Sequence, residues 1–122
     1  MSVTGNGVDI IEVRRTKNAV EKYGQAFLKR IFTDRELEKV RQHNNSYQHM
    51  AGRFAAKEAV FKALGKATLN FRDVEVLNDE QGKPYCSLAN SELSKFNIHV
   101  SISHIKYYAV ASAVVTQKTP GA

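Results

Sequence analysis

The chain has 122 residues, a net charge of +6 and 43% hydrophobic residues, which suits one globular domain spanning residues 1–122 and excludes two full-sized ones. The lone Cys86 excludes an intramolecular disulfide scaffold, and no apolar run approaches the ~20 residues of a membrane span. The N-terminus lacks the basic start and apolar stretch of a signal peptide, so we expect a soluble cytoplasmic protein with no membrane association.

The first third of the chain predicts a strand followed by helices. Residues 8–13 form an apolar run interrupted by acidic residues, which indicates an opening strand. Apolar residues then recur at helical spacing over 14–32, with Gly24 as a break. Thr33 and Glu36 have the spacing of a capping box, which predicts that a short helix begins there.

The remainder predicts a long helix and further strands. Residues 47–64 contain no proline and many alanines, and Gly65 is placed to end this helix. We then expect a hairpin formed by strands at 74–76 and 85–88, and a short helix from Asn90 or Ser91 to Phe96. Two further strands are expected at 98–103 and 107–116. The expected class is α+β, a largely antiparallel sheet packed beside the long helix, which the small residues Ala109, Ala111 and Ala113 would allow to approach closely.

The excess positive charge is concentrated in the predicted first helix. The span 14–30 holds six basic residues and one acid, Glu21. Such a field attracts polyanions, among them nucleic acid, phosphorylated cofactors and acidic proteins. An equally good interpretation is a solvated helix face that only keeps the protein soluble.

Asp9 lies within the apolar opening strand. A carboxylate there loses hydration and needs a cation, a metal ion or backbone amides as a partner. For Asp9 taken alone, an exposed position or a structural salt bridge is the simpler interpretation.

The long helix places Phe54, Glu58 and Lys62 at successive turns, so these three side chains share one face. Arg53 and Lys57 form a second, basic row beside them. The simpler interpretation is an exposed pair between residues 58 and 62, which would contribute a few tenths of a kcal/mol. The alternative is a metal-binding Glu58 with Lys62 one turn away, close to a phosphate that the metal holds.

The predicted fourth strand ends in Ser103 and His104. His104 suits either a turn residue or a hydrogen-bond donor to phosphate. No cysteine or paired histidine lies nearby at zinc spacing, and neither a Walker-type nor a dinucleotide glycine motif is present.

Three motifs together give the chain a resemblance to a known family. GVDIIEV near the N-terminus, GRFAAKEAVFKALG in the long helix and VSISHIKYYAVASAVV near the C-terminus resemble holo-acyl-carrier-protein synthases, the small single-domain phosphopantetheinyl transferases. GKPY at 82–85 resembles a turn of that family. The resemblance runs from about Gly5 to Val115. Its order and spacing make it specific, whereas no single motif would suffice.

The resemblance implies Mg²⁺-dependent transfer of 4′-phosphopantetheine from coenzyme A to a serine of apo acyl carrier protein, in fatty acid (lipid) biosynthesis, with release of adenosine 3′,5′-bisphosphate. It also implies homotrimers with sites between subunits. Matched to the family's motifs, the metal ligands are Asp9 and Glu58, the catalytic residues are these two with Lys62, and the coenzyme site holds Arg53, Lys62, Gly65, Ser103 and His104. The carrier protein would dock on Arg14, Arg15, Lys17 and Lys22, with the largest contribution from Arg14. Whether Glu58, Asp9 or a bound water takes the serine proton stays open.

The stretch 66–71 departs from the family, because it is shorter and nearly free of glycine. Two other classes of protein also remain possible. A basic nucleic-acid-binding module would need aromatic residues interleaved with basic ones on a sheet face, and no such motif is present, so we expect no nucleic acid partner. A non-catalytic module that binds carrier protein would have no use for Asp9, Glu58 and Lys62 together.

Overall fold

The computed structural model describes residues 2–65, 70–89 and 91–118. The strands are β1 (Val3–Glu12), β2 (Val74–Asn78), β3 (Pro84–Leu88), β4 (Phe96–His104) and β5 (Tyr108–Gln117). The helices are α1 (Val13–Tyr23), α2 (Gln25–Ile31), α3 (Asp34–Arg41) and α4 (Ser46–Leu64), and short 3₁₀ turns lie at Phe71–Asp73 and Ser91–Leu93. Among the described helices, none is long and apolar enough to cross a membrane.

Helix α4 packs against an antiparallel sheet in which β5 lies between β1 and β4. Strands β2 and β3 form a separate antiparallel hairpin. The main core lies between α4 and the sheet and consists largely of small residues, among them Ala55, Ala59, Ala111 and Ala113. The predicted α+β class and the predicted contact between the alanines of β5 and the long helix are therefore confirmed.

Two glycines let β1 lie directly against α4. A Cβ on Gly5 would collide with the carbonyl oxygen of Ala63, and a Cβ on Gly7 would collide with that of Ala59. Both glycines share the inward face of β1 with Asp9, because side chains two residues apart lie on the same face of a strand. The glycines therefore bring Asp9 close to the helix.

Most predicted element boundaries are confirmed within a few residues. Gly24 separates α1 from α2, Thr33 and Glu36 form the capping box of α3, and Gly65 ends α4 in a left-handed conformation with φ of 66°. The opening strand is longer than expected, since pairing with β5 begins at Val3. The expected helix before Phe96 is only the 3₁₀ turn Ser91–Leu93, and Asn90 lies outside the described residues, as do residues 66–69.

Lys57 does not belong to an accessible basic row, because its side chain is fully buried. Its ammonium lies 2.7 Å from a carboxylate oxygen of Glu36, which is also fully buried. Lys57 also donates hydrogen bonds to the carbonyls of Phe71 and Val74, and Glu36 accepts from the backbone N–H groups of Thr33 and Val76. The pair therefore joins α3, α4 and β2.

The sheet face opposite α4 is open to solvent and partly apolar. On this face Val8 is 60% exposed and Ile10 65%, and they lie opposite Ser112 and Val110 of β5. Tyr108 is 46% exposed on the same face. Adjacent exposed apolar side chains on a regular sheet are typical of an interaction surface.

Candidate active site

Asp9 and Glu58 line one cleft of about 420 Å³ between β1, α1 and α4. Strand β1 contributes Asp9, and the middle of α4 contributes Glu58 together with Phe54 one turn earlier. The other walls are mainly apolar, with Arg15 of α1 as the one basic residue among the described lining residues. We call this space the carboxylate cleft.

Lys62 reaches β1 rather than Glu58. In the described part of the chain its ammonium donates hydrogen bonds of 3.0 Å to a carboxylate oxygen of Asp9 and of 3.0 Å to the carbonyl of Val8. The simpler sequence interpretation, an exposed pair between residues 58 and 62 on the helix surface, is therefore wrong. The three predicted catalytic residues Asp9, Glu58 and Lys62 are brought together.

The Glu58 carboxyl has a pKa above its usual range. Partial burial is the largest cause, and the nearby negative charge of Asp9 adds to it, while the ammonium of Lys62 acts in the opposite direction. Glu58 is therefore a better proton acceptor near neutral pH than an ordinary glutamate, because a base with a pKa closer to the working pH is more effective.

The carboxylate cleft contains two carboxylates that could bind a magnesium ion. Mg²⁺ is typically held by one or two carboxylates, with water and substrate phosphates as its other ligands. Two carboxylates, Asp9 and Glu58, line the cleft, and Lys62 forms its ion pair with Asp9. Among the described residues no three His, Cys, Asp or Glu side chains form a group that could hold a metal ion. Asp9 and Glu58 could therefore hold a metal ion only together with water or substrate oxygens.

Arg53 and His104 line a second cleft, of about 470 Å³, on another side of α4. Lys39 and Asn78 also line it, and the turn between β2 and β3 closes one side with Gly82. No described residue lines both this cleft and the carboxylate cleft. We call this space the histidine cleft, because three of the four histidines of the chain lie on its wall.

Arg53 is held at the edge of this cleft by the strand that follows α4. Its guanidinium donates a hydrogen bond of 2.7 Å to the side-chain oxygen of Asn78, and the side chain is 5% exposed. Its Nε has no partner in the described structure. Burial lowers the pKa of Arg53, and the charge of Glu36 acts against this. A buried, incompletely paired guanidinium is suited to binding an anion.

Two further histidines in this cleft carry no signal in the sequence. His43 stacks on His49 with ring centroids 3.7 Å apart, and His49 meets His104 edge-on at 4.9 Å. His43 precedes α4, His49 lies in its first turns and His104 ends β4, so only the tertiary fold brings them together. Asn78, the partner of Arg53, is likewise 25 residues away in sequence.

The other predicted coenzyme residues lie apart from the histidine cleft. Gly65 ends α4, beyond Lys62. Ser103 is exposed and lies opposite Val110 on the outer face of the sheet, whereas His104 is turned towards α4. Within one chain the side chain of Ser103 therefore lies on the face of β4 opposite to that of His104, and its role stays a prediction.

The predicted docking residues lie on α1. All four, Arg14, Arg15, Lys17 and Lys22, are exposed, and Lys17 forms a loose pair with Glu21 at 3.9 Å. Arg15, rather than Arg14, lines the carboxylate cleft. A positive surface therefore borders the two carboxylates.

Comparison with known proteins covers almost the whole chain. The sequence model of the 4′-phosphopantetheinyl transferase superfamily matches residues 5–116. A holo-[acyl-carrier-protein] synthase of Clostridium tetani is 42% identical over 121 residues, covering 93% of this chain and 95% of the relative. One of Protochlamydia amoebophila is 46% identical over 116 residues, covering 90% of this chain and 95% of the relative.

Solved structures agree with the sequence matches. A holo-(acyl-carrier-protein) synthase from Bacillus anthracis in complex with CoA (3′,5′-ADP) has a TM-score of 0.82 and 36% identity, covering 95% of this chain and 98% of that one. The Helicobacter pylori synthase in complex with coenzyme A has a TM-score of 0.82 and 27% identity, covering 91% of this chain and 99% of that one.

Proposed function

The chain belongs to the 4′-phosphopantetheinyl transferase superfamily, and from that premise we propose how its two clefts divide the reaction. The reaction is transfer of 4′-phosphopantetheine from coenzyme A to a serine of apo acyl carrier protein. The observation that carries the proposal is the convergence of Asp9, Glu58 and Lys62 beside an open cleft, since a module that only binds has no need of it.

In the carboxylate cleft, Glu58 accepts the proton of the attacking serine. The serine oxygen forms a bond to the phosphorus that bears the pantetheine arm, and the bond from that phosphorus to the bridging oxygen breaks. The leaving group is adenosine 3′,5′-bisphosphate. Lys62 donates to phosphate oxygens as charge develops on them, which requires it to leave Asp9 in part.

Asp9 and Glu58 would together hold Mg²⁺, which supplies electrostatic stabilisation of the charge on the pyrophosphate. The two carboxylates are suited to this because neither is neutralised by a buried basic residue. Asp9 would be the ligand whose carboxylate Lys62 orients through its hydrogen bond.

Arg53 and His104 would bind a phosphate of coenzyme A in the histidine cleft. Both can donate charge-assisted hydrogen bonds, each contributing roughly 1.5–3 kcal/mol. A relative with this fold binds CoA (3′,5′-ADP), which supports an anion site for the nucleotide part. Ser103 and Gly65 complete the predicted coenzyme site by resemblance alone.

The basic surface of α1 would hold the acidic carrier protein. Its exposed residues lie beside the carboxylate cleft, where the serine must arrive. Complementary charge there raises the association rate and fixes the orientation. The cleft itself is mainly apolar, which favours insertion of an apolar side chain of the partner next to the serine.

We also propose that the protein is a cytoplasmic homotrimer with composite sites, acting in fatty acid synthesis. Two observations support the trimer: the exposed apolar sheet face around Val8, Ile10 and Val110, and the separation of the two clefts within one chain. Subunits that meet through this face would let the histidine cleft of one chain serve the carboxylate cleft of the next. Ser103 lies on this face and would then border the composite site.

Intact-mass measurement of carrier protein tests the reaction. Apo carrier protein is incubated with the chain, coenzyme A and Mg²⁺, and we expect a gain of one phosphopantetheine unit. A carrier protein with its serine replaced by alanine is the control and should gain nothing. Unmodified wild-type carrier protein, with the chain folded and coenzyme A intact, would contradict the proposal.

Subunit mixing tests the composite site. Glu58→Gln removes the base in one cleft, and Arg53→Gln removes an anion donor in the other. If each site uses both clefts from different chains, a refolded mixture of the two inactive variants should recover part of the wild-type activity. No recovery in mixed oligomers, or a sedimentation mass of a single 13.7 kDa chain, would contradict the proposed assembly.

A further inference from the structure

His104 is held in one tautomer by a neutral partner. Its Nδ1 lies 3.0 Å from the side-chain oxygen of Gln48, and the same oxygen accepts a hydrogen bond of 3.2 Å from the amide of Asn45. Because a carbonyl oxygen only accepts, the hydrogen on the His104 ring lies at Nδ1. In the uncharged ring, the second nitrogen, Nε2, then carries a lone pair and no hydrogen, so it cannot donate to an anion.

The described groups that line this cleft around His104 are mainly basic. From α4 it faces His49 and Arg53, from the segment before α4 it faces His43, and α3 adds Lys39. Among the described lining residues the single carboxylate is Asp79, in the turn between β2 and β3.

The pKa of His49 shows the effect of this environment on a neighbouring histidine. Burial and the charges of His43, His104 and Arg53 lower its pKa to about 4, so His49 itself stays uncharged at neutral pH. The stacked rings of His43 and His49 form a wall against which the His104 ring is packed.

A phosphate in this cleft would change the charges that His104 faces. It would be attracted to Arg53 and Lys39 and repelled by the lone pair of an uncharged His104. A proton on Nε2 turns that repulsion into a charge-assisted hydrogen bond while Gln48 keeps its bond to Nδ1.

We propose that the coenzyme phosphate is bound together with one proton, which His104 takes up at Nε2, and that Gln48 is the positioning residue that makes this proton necessary. The inference rests on the proposed function, in that it uses the histidine cleft as the coenzyme site. It follows that nucleotide affinity falls as the pH rises, by up to about tenfold per unit for one linked proton.

Calorimetric titration with adenosine 3′,5′-bisphosphate at pH 7.5 in two buffers of different ionisation enthalpy counts the protons taken up on binding. We expect net uptake to be larger in the wild type than in Gln48→Glu, because a carboxylate at this position would hold His104 protonated before the ligand binds. His104→Gln should lose the same linked proton while Arg53 still binds the ligand more weakly. His99→Gln is the matched control, since His99 is exposed on β4 outside the histidine cleft.

The variants separate the proton of His104 from protons released by the ligand, whose own phosphates titrate near pH 6. Those phosphates are common to all four proteins, so only differences between variants count. Equal proton uptake by the wild type, Gln48→Glu and His104→Gln, with binding retained, would overturn this inference alone. Absence of nucleotide binding by the folded wild type would overturn the coenzyme site, and this inference with it.

Discussion

Helix α4 carries two lysines five residues apart whose carboxylate partners are used in opposite ways. Lys57 and Glu36 are both fully buried, and each has further backbone hydrogen bonds. Lys62 is 54% exposed and Asp9 18% exposed, and Glu58 beside them has a raised pKa. The pair of Lys57 and Glu36 has hydrogen-bond partners on both sides, whereas Asp9, Glu58 and Lys62 are accessible to further partners.

Burial and further partners distinguish a structural charge pair from an accessible one on the same helix. The buried pair cannot reach a substrate without unfolding its surroundings, so its cost in desolvation is balanced only by internal bonds. The open cluster is accessible to the substrate phosphate and the metal ion that we propose it binds. Substitutions in the buried pair should therefore change stability, and substitutions in the open cluster should change catalysis.

The largest effect should come from Lys57→Met, which leaves Glu36 buried without its cation. Breaking a buried pair in this way costs about 3–5 kcal/mol, a large part of the 5–15 kcal/mol that stabilises a typical domain. Urea unfolding followed by circular dichroism measures the change. Lys62→Met is the matched control and should lose less than about 1 kcal/mol, as expected for an exposed pair. Equal losses of unfolding free energy in the two variants would contradict the distinction between the buried pair and the exposed one.

Asp9→Asn should lower activity by roughly two to three orders of magnitude, because several kcal/mol of charge stabilisation depend on the metal site. The fold should be retained, since Asp9 lies at the edge of an open cleft. Initial rates measured over a range of Mg²⁺ concentrations should show a higher concentration at half-maximal activity than in the wild type. Excess chelator should abolish wild-type activity. Full activity in chelator would show that the carboxylates have another use.

Charge reversal on α1 should have a moderate effect that is confined to the carrier protein. We expect Arg14→Glu with Lys22→Glu to raise the apparent KM for carrier protein about tenfold and to leave that for coenzyme A unchanged. Arg15→Glu belongs in the series because Arg15 lines the carboxylate cleft. Comparison of the three positions tests the prediction that Arg14 contributes most.

The salt dependence of carrier-protein kinetics tests whether these charges act by electrostatic attraction. Exposed charges are screened over ~8 Å at physiological ionic strength, so moderate salt should reproduce the effect in the wild type and have little further effect in the reversed variant. If the surface only keeps the protein soluble, carrier-protein kinetics at low salt would not change in any of these variants.

The smallest effect concerns the pH dependence of stability. Because the pKa of Glu58 is raised in the folded protein, its stabilising contribution is present below the unfolded value of about 4.3 and is lost as pH rises through the folded value. The stability of Glu58→Gln relative to the wild type should therefore increase from pH 4 to pH 7. Unfolding midpoints at several pH values measure this, and a change of the opposite sign would contradict the raised pKa.

Local patterns in the sequence predict the helices well, because capping and termination depend on neighbouring residues. Thr33 with Glu36 and the left-handed Gly65 are examples. The family motifs also predict which residues meet in the carboxylate cleft. Spacing along a helix does not reveal the partner of a charge: Lys57 reaches Glu36 and Lys62 reaches Asp9, 53 residues away, because β1 and α3 pack on different sides of α4.

Of the histidine cleft, the family resemblance predicted Arg53 and His104, whereas His43 and His49 could not be predicted for the same reason. His43, His49 and His104 come from a loop, a helix and a strand end, and no periodic pattern connects them. Gly5 and Gly7 carried a weak signal, since two glycines in a strand suggest close backbone approach, but the partner helix is fixed only by the fold.

The most direct test of the account is the mass of carrier protein after incubation with coenzyme A, Mg²⁺ and either wild type or Glu58→Gln, sampled over time at equal concentrations of folded protein. We expect rapid gain of one phosphopantetheine unit with the wild type and a rate at least about 100-fold lower with the variant, because the variant lacks the general base. Equal rates in the two proteins would contradict the claim that the open cluster on α4 performs the transfer.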